Sequence, residues 1–313
     1  MLQWDEKMEQ NLISCMQTLG FPQESQDDLL ACNARLEALP ETCAQLDAQV
    51  ISLVQGRGPV STEVLDAIAT LLGVHHYTLH LLFLLRAAIP TRAQYALKGL
   101  DEAIYWDSVR DLLYKLAECR VNAGVTGTMV MDWHLDFFRL NRFALGRLQY
   151  EEIPYRFDRY QRHGVTLYAG ETVLNTHIPS SGPLGREERL DSYRRAYDFY
   201  KCAERGVPLA VICSSWLLFP DNRLFFPKRS NILDFMDDFD LLFGQAWTPF
   251  HDAWRVFGPA HEKPLDQWPA DTALRKAYVD WFKAGRWAGY GVGILVFDGE
   301  KLLSGPRAKE MAP

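Results

Sequence analysis

The chain has 313 residues and a formal net charge of -7, with 48% hydrophobic and 23% charged residues, as in an ordinary globular protein. This acidic balance argues against a protein that binds nucleic acid through a broad phosphate-facing surface, but a local basic pocket remains possible. The six cysteines form no CxxC pair, and none has a histidine at zinc-site spacing. We therefore expect free thiols, no metal and a cytoplasmic protein without a targeting peptide.

The first part of the chain predicts helices almost throughout. The segment VLDAIATLLG repeats apolar residues at helical spacing, with Ser61 as its N-cap and Gly73 as its terminator. Pro90 should end the next helix, whose apolar run LHLLFLLRAAI is too short to cross a bilayer. DEAIYWDSVRDLLYKLAECR then predicts one long helix. We expect an all-helical N-terminal domain over residues 1–122 and no membrane partner.

The rest of the chain mixes strand and helix patterns. GRLQYEEI, HGVTLYAG, TVLNTHI, VPLAVICSSWLLF, HDAWRVFG and GYGVGILVFDG predict strands. REERLDSYRRAYDFYKCAER, SNILDFMDDFDLLF and DTALRKAYVDWFKAG predict helices. A crossover helix between adjacent strands implies some parallel pairing. The sequence thus predicts an α+β protein with a second domain over residues 123–305 and a tail over 306–313.

The stretch VLNTHIPSSGPLGREERL predicts a strand, a turn of small residues and the start of a helix. Alternation along the strand places Asn175 and His177 on one face, near the end where α/β sheets gather ligands. The unpaired amides at the helix start, with Arg186 beside them, suit a pyrophosphate. The alternative is a plain loop, because Glu187 and Glu188 already satisfy the positive end of the helix dipole.

The order of FRLNRFALGRLQYE, VLNTHIPSSGPL, VICSSWLLFP and RSNILDFMDDF resembles a bacterial two-domain acyltransferase family. In that family a helical N-terminal domain precedes a C-terminal domain similar to the GNAT superfamily of N-acyltransferases. The resemblance implies a mixed β-sheet with helices on both faces. It also implies that the strand ending at His177 and the next strand separate to admit the pantetheine arm of CoA.

The resemblance further implies an acyl-CoA co-substrate, with acetyl-CoA as the first candidate. The positions that match the pyrophosphate-binding turn are Ile178, Ser180, Ser181, Gly182, Leu184, Gly185 and Arg186. Asn231 matches an asparagine that contacts the cofactor in many GNAT enzymes. The helix that starts there has no tyrosine to act as the usual general acid.

Direct acyl transfer needs a base for the amine and an acid for the leaving thiolate. His177 is the first candidate base, since its ordinary pKa lies near neutrality, and Glu151 is the second. Tyr150 is a candidate proton donor. Cys213 could instead pair with His177 and form a covalent acyl-enzyme. Each of these residues also has a structural reading, as a backbone-bonded, surface or packing side chain.

Three further residues are candidates for binding the substrate. Asn175 shares the face of His177, Arg147 could bind an acidic group, and Trp216 could form a wall of the pocket. The sequence therefore predicts acyl-CoA-dependent transfer of an acetyl or other acyl group to a small-molecule or peptide amine, by direct attack in a ternary complex. The alternative is a non-catalytic acyl-CoA-binding or small-ligand-binding regulatory protein on a degenerate GNAT scaffold. No oligomeric state follows from the sequence.

Overall fold

The computed structural model describes residues 7–306, so all but the first residue of the predicted tail over 306–313 lies outside the described part. The chain divides into two compact units at the junction of Ala144 and Leu145. The helices of the first unit are α1 (Lys7–Leu19), α2 (Gln23–Glu37), α3 (Pro40–Gln55), α4 (Thr62–Leu72), α5 (His76–Leu97), α6 (Glu102–Val109), α7 (Asp111–Ala123) and α8 (Met131–Phe138).

Helix α5 is the centre of the first unit, because it packs against α1, α2, α3, α4, α6 and α8. Its buried charge at Arg86 is balanced by neighbours, since Nη1 donates to Asn33 at 2.7 Å and Nη2 to Asp47 at 2.9 Å. No single helix within residues 7–306 has the length and apolarity to cross a membrane, and only α4 and α5 together, bent by 114°, pass that test.

The predicted ends of α4 are confirmed, while two other helix boundaries are corrected. Ser61 accepts a hydrogen bond from the Val64 amide, and Gly73 ends α4 at a left-handed φ of 61°. The predicted break at Pro90 is wrong, because α5 continues to Leu97. Burial on both sides of the proline outweighs its missing amide, and the Thr91 hydroxyl donates to the Ala87 carbonyl. The predicted long helix is divided between α6 and α7.

The second unit combines short helices with a mixed sheet. Its strands, with the one that spans the junction, are β1 (Arg142–Leu145), β2 (Leu148–Pro154), β3 (Arg159–Arg162), β4 (Val165–Tyr168), β5 (Thr172–His177), β6 (Leu209–Ser215), β7 (Asp240–Ala246) and β8 (Gly289–Phe297). Its helices are α9 (Arg186–Phe199), α10 (Cys202–Arg205), α11 (Asn222–Phe225), α12 (Asn231–Met236), α13 (Ala253–Phe257) and α14 (Ala273–Lys283).

The main sheet has the order β1-β2-β5-β6-β8-β7, and β3 pairs with β4 in a separate hairpin. β2 runs antiparallel to β5, β5 parallel to β6, and β8 antiparallel to both β6 and β7. The predicted parallel pair joined by a crossover helix is confirmed, since α9 lies between β5 and β6 in the chain. The architecture is the predicted one: a helical N-terminal region followed by a mixed sheet with helices.

Several element predictions in this unit are wrong in detail. HDAWRVFG forms the helix α13 rather than a strand, because its buried residues Ala253, Val256 and Phe257 recur at helical spacing. SNILDFMDDFDLLF contains the short helix α12 and then the strand β7. The long helix predicted after the turn ends at Phe199, and Lys201 adopts a left-handed φ of 52° before α10.

The register assigns residues to the two faces of the main sheet, which we call face A and face B. Face A carries Glu151, Asn175 and His177, together with Ile212 and Val292; the partners in register that show this are Glu151↔Asn175, Ile212↔Ile294 and Ser214↔Val292. Face B carries Tyr150, Thr176 and Cys213, and α9 packs on it, since the Tyr150 hydroxyl lies 3.0 Å from Ser192 Oγ. The two faces therefore have different chemical surroundings.

The glycines of β8 explain how face B is closed beyond the end of β6. A Cβ at Gly291 would overlap the Leu218 carbonyl, and one at Gly293 would press on the Phe239 side chain. Alternate positions of GYGVG are thus glycine because the segments that follow β6 and α12 lie on this face in close contact with the strand. The residues between these glycines, Tyr290 and Val292, point to face A.

A buried ion pair fixes α9 against α12. The Arg189 guanidinium donates from Nε to Asp238 at 2.8 Å, from Nη2 to the Asp234 carboxylate at 2.7 Å and from Nη1 to the Leu184 carbonyl at 2.9 Å. Arg189 is 0% and Asp238 1% exposed, and the Tyr193 hydroxyl also donates to Asp238. One side chain therefore connects the turn before α9, α9 itself and the end of α12.

The charges of this pair depend on each other. Burial opposes the charge on Arg189, but the charge and hydrogen bond of Asp238, with the contacts to Tyr193 and Asp234, together outweigh burial and raise the pKa of the guanidinium. Burial also raises the pKa of Asp238, an effect that the charge and hydrogen bond of Arg189 oppose. We take the pair as ionised, because Asp238 Oδ2 accepts from both Arg189 and Tyr193 and the guanidinium also contacts the Asp234 carboxylate.

Replacement of Arg189 should therefore destabilise the second unit strongly. We expect Arg189→Met to lower the free energy of unfolding by about 3–5 kcal/mol, because it leaves Asp238 buried without its counter-charge. Arg195→Met is the matched control on the same helix, since its pair with Asp191 is half exposed and should contribute under about 1 kcal/mol. Urea unfolding of both variants checks this, and equal losses would contradict it.

Candidate functional site

Three polar side chains meet on face A at the end of β5. His177 Nε2 lies 2.6 Å from Glu151 Oε1 and 3.0 Å from Asn175 Nδ2, and the Asn175 amide also donates to Glu151 Oε1 at 3.2 Å. The side chains of His177 and Glu151 are 22% and 14% exposed, so the cluster is accessible from one side only. It can hold an imidazole in a fixed orientation at a surface that a substrate can reach.

The antiparallel register of β2 and β5 brings this cluster together. Glu151 lies directly opposite Asn175, and His177 is the next residue on the same face of β5. Side chains at directly opposed and diagonal positions of an antiparallel pair are within contact distance. The shared face of Asn175 and His177, predicted from alternation, is confirmed, and Glu151 joins them from the neighbouring strand.

The strands β5 and β6 separate beside this cluster. Their parallel ladder consists of two residue pairs, Leu174↔Val211 and Asn175↔Ile212, and within the described residues no further pair follows. β5 nevertheless continues to His177 and β6 to Ser215. Backbone groups of both strands are therefore available at the separation, as a ligand arm inserted between two strands requires.

The turn between β5 and α9 is held from inside by Arg147. Its guanidinium donates to three carbonyl groups of the turn, those of Pro179 at 3.0 Å, Gly182 at 2.9 Å and Pro183 at 3.2 Å. Arg147 thus stabilises the conformation of the turn. Whether it also contacts a substrate stays a prediction.

The amides of the turn have a different role from its carbonyls. The backbone N–H groups of Gly182, Leu184 and Gly185 donate to no other backbone group in residues 7–306. Ser181, Gly182 and Arg186 are exposed. The turn therefore offers donors at the helix start, as an anion site requires.

One acidic side chain occupies part of this helix start. A Cβ at Gly185 would overlap the Glu188 carboxylate, so Glu188 folds back over the first turn of α9. A carboxylate at that position satisfies the positive end of the helix dipole. An incoming anion would have to displace it. Both sequence readings of the turn, as an anion site and as a self-satisfied loop, thus have a physical counterpart in the structure.

The remaining predicted binding residues lie in different surroundings. Asn231 is exposed at the first position of α12, where Ser230 caps the helix. Ile178 is half-buried and Ser180 exposed, whereas Leu184 is buried. Trp216 lies in a 3₁₀ turn after β6, with its ring 6.2 Å from that of Phe250. The structure does not test their roles, which stay predictions.

Cys213 and Tyr150 point away from the cluster. This corrects the alternative in which Cys213 pairs with His177 to form a covalent acyl-enzyme. Cys213 is fully buried on face B, so the predicted Cys213–His177 pair does not form. Burial also raises the pKa of the Cys213 thiol to about 12. Tyr150 is fully buried on the same face, burial raises its pKa, and its hydroxyl is bonded to Ser192. Neither side chain reaches the surface where His177 is accessible.

The sequence analysis did not find the connection between the turn and α12. The sequence assigned no role to Arg189 and placed Asp238 within a predicted helix. A signal was present, because Arg189, Tyr193 and Ala196 lie on one face of the helix, which is otherwise uncharged. A lone arginine on the buried face of a helix requires a buried carboxylate partner.

The comparisons with known proteins give the family. Residues 10–140 match the model of an N-acyltransferase N-terminal domain, and residues 142–295 match that of a GNAT-like C-terminal domain. The chain belongs to the two-domain N-acyltransferase family. The protein is therefore an acyltransferase, and the strand–turn–helix around His177 lies in its GNAT-like domain. No curated protein matches the sequence.

Solved structures of acyltransferases share the fold of this family member. One, a crystal structure of an acyltransferase in complex with decanoyl-CoA and teicoplanin, is 21% identical with a TM-score of 0.72, covering 91% of this chain and 87% of that chain. Another, in complex with decanoyl-CoA, is 24% identical with a TM-score of 0.72, covering 90% and 86%. A mutant in complex with octanoyl-CoA is 21% identical with the same TM-score, covering 92% and 88%.

Cys213 should be dispensable for the reaction of this acyltransferase. Because burial raises the pKa of its thiol to about 12, Cys213 is a thiol rather than a thiolate at pH 7. We expect Cys213→Ala to keep kcat within a few-fold of the parent, and iodoacetamide at pH 7.5 to leave Cys213 unlabelled in the folded protein. Mass spectrometry after alkylation, with urea-unfolded protein as control, checks the second point. Loss of turnover in a folded Cys213→Ala protein would contradict the first.

Proposed function

We propose that this acyltransferase uses an acyl-CoA and transfers its acyl group directly to an amine in a ternary complex. The observation that supports this most is the position of the His177–Glu151–Asn175 cluster beside the separation of β5 and β6. Neighbouring structures bind decanoyl-CoA and octanoyl-CoA, which supports an acyl-CoA donor without fixing the length of its acyl chain. Teicoplanin in one of them is consistent with a small-molecule or peptide-like acceptor.

His177 is the proposed general base. A carboxylate oxygen only accepts hydrogen bonds, so His177 Nε2 donates to Glu151 and Nδ1 of the neutral ring keeps the lone pair. Nδ1 takes a proton from the amine as its nitrogen attacks the thioester carbon. The C–S bond then breaks, and the proton returns to the CoA sulfur. Glu151 stabilises the imidazolium between these steps, and Asn175 holds Glu151 in place.

The turn from Ser180 to Arg186 is the proposed binding site of the diphosphate. The amides of Gly182, Leu184 and Gly185 and the start of α9 supply donors and a positive potential, and Arg186 adds an exposed charge. Asn231 at the start of α12 is the proposed second contact with the cofactor. The donor would then pass between β5 and β6 toward His177. We also propose a cytoplasmic location, which the six unbridged cysteines support.

Turnover assays test the proposed function. Acetyl-, octanoyl- and decanoyl-CoA are each supplied with a panel of primary amines, and release of the CoA thiol is followed. We expect His177→Gln to lower kcat by about 10²- to 10⁴-fold with acyl-CoA binding retained, because only proton transfer is lost. His163→Asn is the matched control, since His163 also contacts a carboxylate, that of Asp240, away from the cluster.

Two results would contradict this proposal. An absence of heat on calorimetric titration with CoA and all three acyl-CoA species would exclude acyl-CoA as the acyl donor. Binding without thiol release for any amine would favour the alternative of a regulatory protein on a GNAT scaffold.

Glu188 should weaken the binding of CoA. Its carboxylate lies over the helix start that the diphosphate would occupy, and both are negative. We expect Glu188→Gln to lower the Kd for CoA about two- to five-fold at low salt, the size of a charge effect at an exposed helix terminus. Glu187→Gln is the matched control in the same turn. Calorimetry at two salt concentrations measures both, and an equal effect of the two substitutions would contradict a specific role of Glu188.

A further inference from the structure

Face A is accessible at the end of β6, although Val292 beside it is buried in the cluster that includes Tyr160 and Ile294. Ser214, the last face-A residue of β6, is exposed, and its partner in register on β8 is Val292. Face B is covered at the same level by the segment that contains Leu218 and Phe219. A molecule that reaches His177 from solvent therefore approaches over face A.

A row of aromatic rings borders this open surface on β7 and β8. The rings of Phe243 and Tyr290 are 5.8 Å apart, those of Tyr290 and Trp247 4.5 Å at an angle of 32°, and those of Trp247 and His251 5.2 Å. Phe243 is 40% exposed. It lies on the edge strand β7, where no further strand covers a large apolar side chain. We call Phe243, Tyr290 and Trp247 the aromatic row.

The aromatic row and His177 lie on the same face of the sheet. Ser214 pairs with Val292, Val292 with Phe243, and Tyr290 is the next face-A residue of β8. Adjacent strands are about 4.8 Å apart, and two strand steps lead from β5 to β8. Two strand steps span roughly 10 Å, and Tyr290 lies two residues from Val292 along β8, so the row begins roughly 12 Å from the backbone of His177, across an exposed serine.

We propose that the aromatic row is an acceptor subsite that binds a flat-faced ring of the amine substrate, roughly 12 Å from the nitrogen that is acylated. This inference rests on the proposed function, because it takes His177 as the point where the amine reacts. The exposed ring of Phe243 and the half-buried rings of Tyr290 and Trp247, the last two inclined by 32°, favour stacking with a planar ring or with the C–H face of a sugar ring. Gln245, which is exposed beside Tyr290 and within 3.5 Å of its hydroxyl, supplies a polar contact for the ring's edge.

The geometry selects extended acceptors. A short aromatic amine such as benzylamine cannot place its nitrogen at His177 and its ring on the row at the same time. An amine with a spacer of roughly 12 Å can do both. The row thus adds affinity only to acceptors of a certain length, and this length dependence separates it from a general preference for apolar amines.

A series of ω-phenylalkylamines measures this length. Their kcat/KM values are compared with those of plain alkylamines of equal chain length, at a fixed concentration of the best acyl-CoA, and 6-aminohexyl glucoside tests a sugar ring at the same reach. We expect the phenyl ring or the glucose ring to improve kcat/KM by about 3- to 10-fold at long spacers, and no gain at short ones. The gain should lie in KM rather than kcat, because the ring is remote from the reacting atoms.

Substitutions in the row connect the gain to these residues. We expect Tyr290→Leu and Trp247→Leu to remove the gain, and Tyr290→Phe to keep it. Trp287→Leu is the matched control, an exposed tryptophan outside the row. Thermal unfolding verifies that each variant is folded. If Trp247→Leu does not fold, the comparison of Tyr290→Phe with Tyr290→Leu decides whether the gain depends on the aromatic row.

The proposal fails if neither ring gives a gain, if the gain is the same at every spacer, or if it persists in both leucine variants. A rise in KM for the acyl-CoA instead of the amine would assign the row to the acyl chain and also overturn it. Saturation-transfer NMR of 6-phenylhexylamine with the free protein gives a readout without turnover. Ring contacts that Tyr290→Leu abolishes would support the subsite even if no amine is acylated, so the two proposals can fail separately.

Discussion

The second unit depends on the buried contact between Arg189 and Asp238. Arg189 from α9 and Asp238 from the segment after α12 each contribute one charge, and both side chains are closed off from water. Because Arg189 also donates to the Leu184 carbonyl, the end of the turn is fixed by the same side chain. The distance between α9 and α12 is thereby set by a salt bridge as well as by apolar packing.

The two faces of the main sheet differ in accessibility and in chemical character. Face B is filled by α9 and by the segment that crosses the β8 glycines, so its polar groups at Tyr150 and Cys213 are buried and inert. Face A keeps a half-exposed histidine, a carboxylate and an amide in contact with one another, with an exposed serine and aromatic rings beyond them. A donor held at the turn and an acceptor on face A would meet where the strands separate, so each substrate has its own approach.

The sequence predicted the order of helix and strand well where local signals are strong. Ser61 and Gly73 bound α4 because capping is a local property, and alternation in TVLNTHI placed Asn175 and His177 correctly. It failed where tertiary contacts decide: Pro90 lies inside α5 because burial outweighs one lost hydrogen bond, and Cys213 lies away from His177 because a strand's face depends on the register with its neighbour. The roles of Arg147 and Arg189 could not be predicted, since their partners are carbonyls and carboxylates distant in sequence.

The three hydrogen bonds from Arg147 to the turn affect how a ligand binds there. Because three carbonyls of the turn are already engaged by the guanidinium, the loop is ordered when the domain folds and not when a ligand arrives. Association then loses little conformational entropy in this segment, which is the advantage of a preorganised receptor. The selectivity of such a loop would come from its rigidity rather than from adaptation to the ligand.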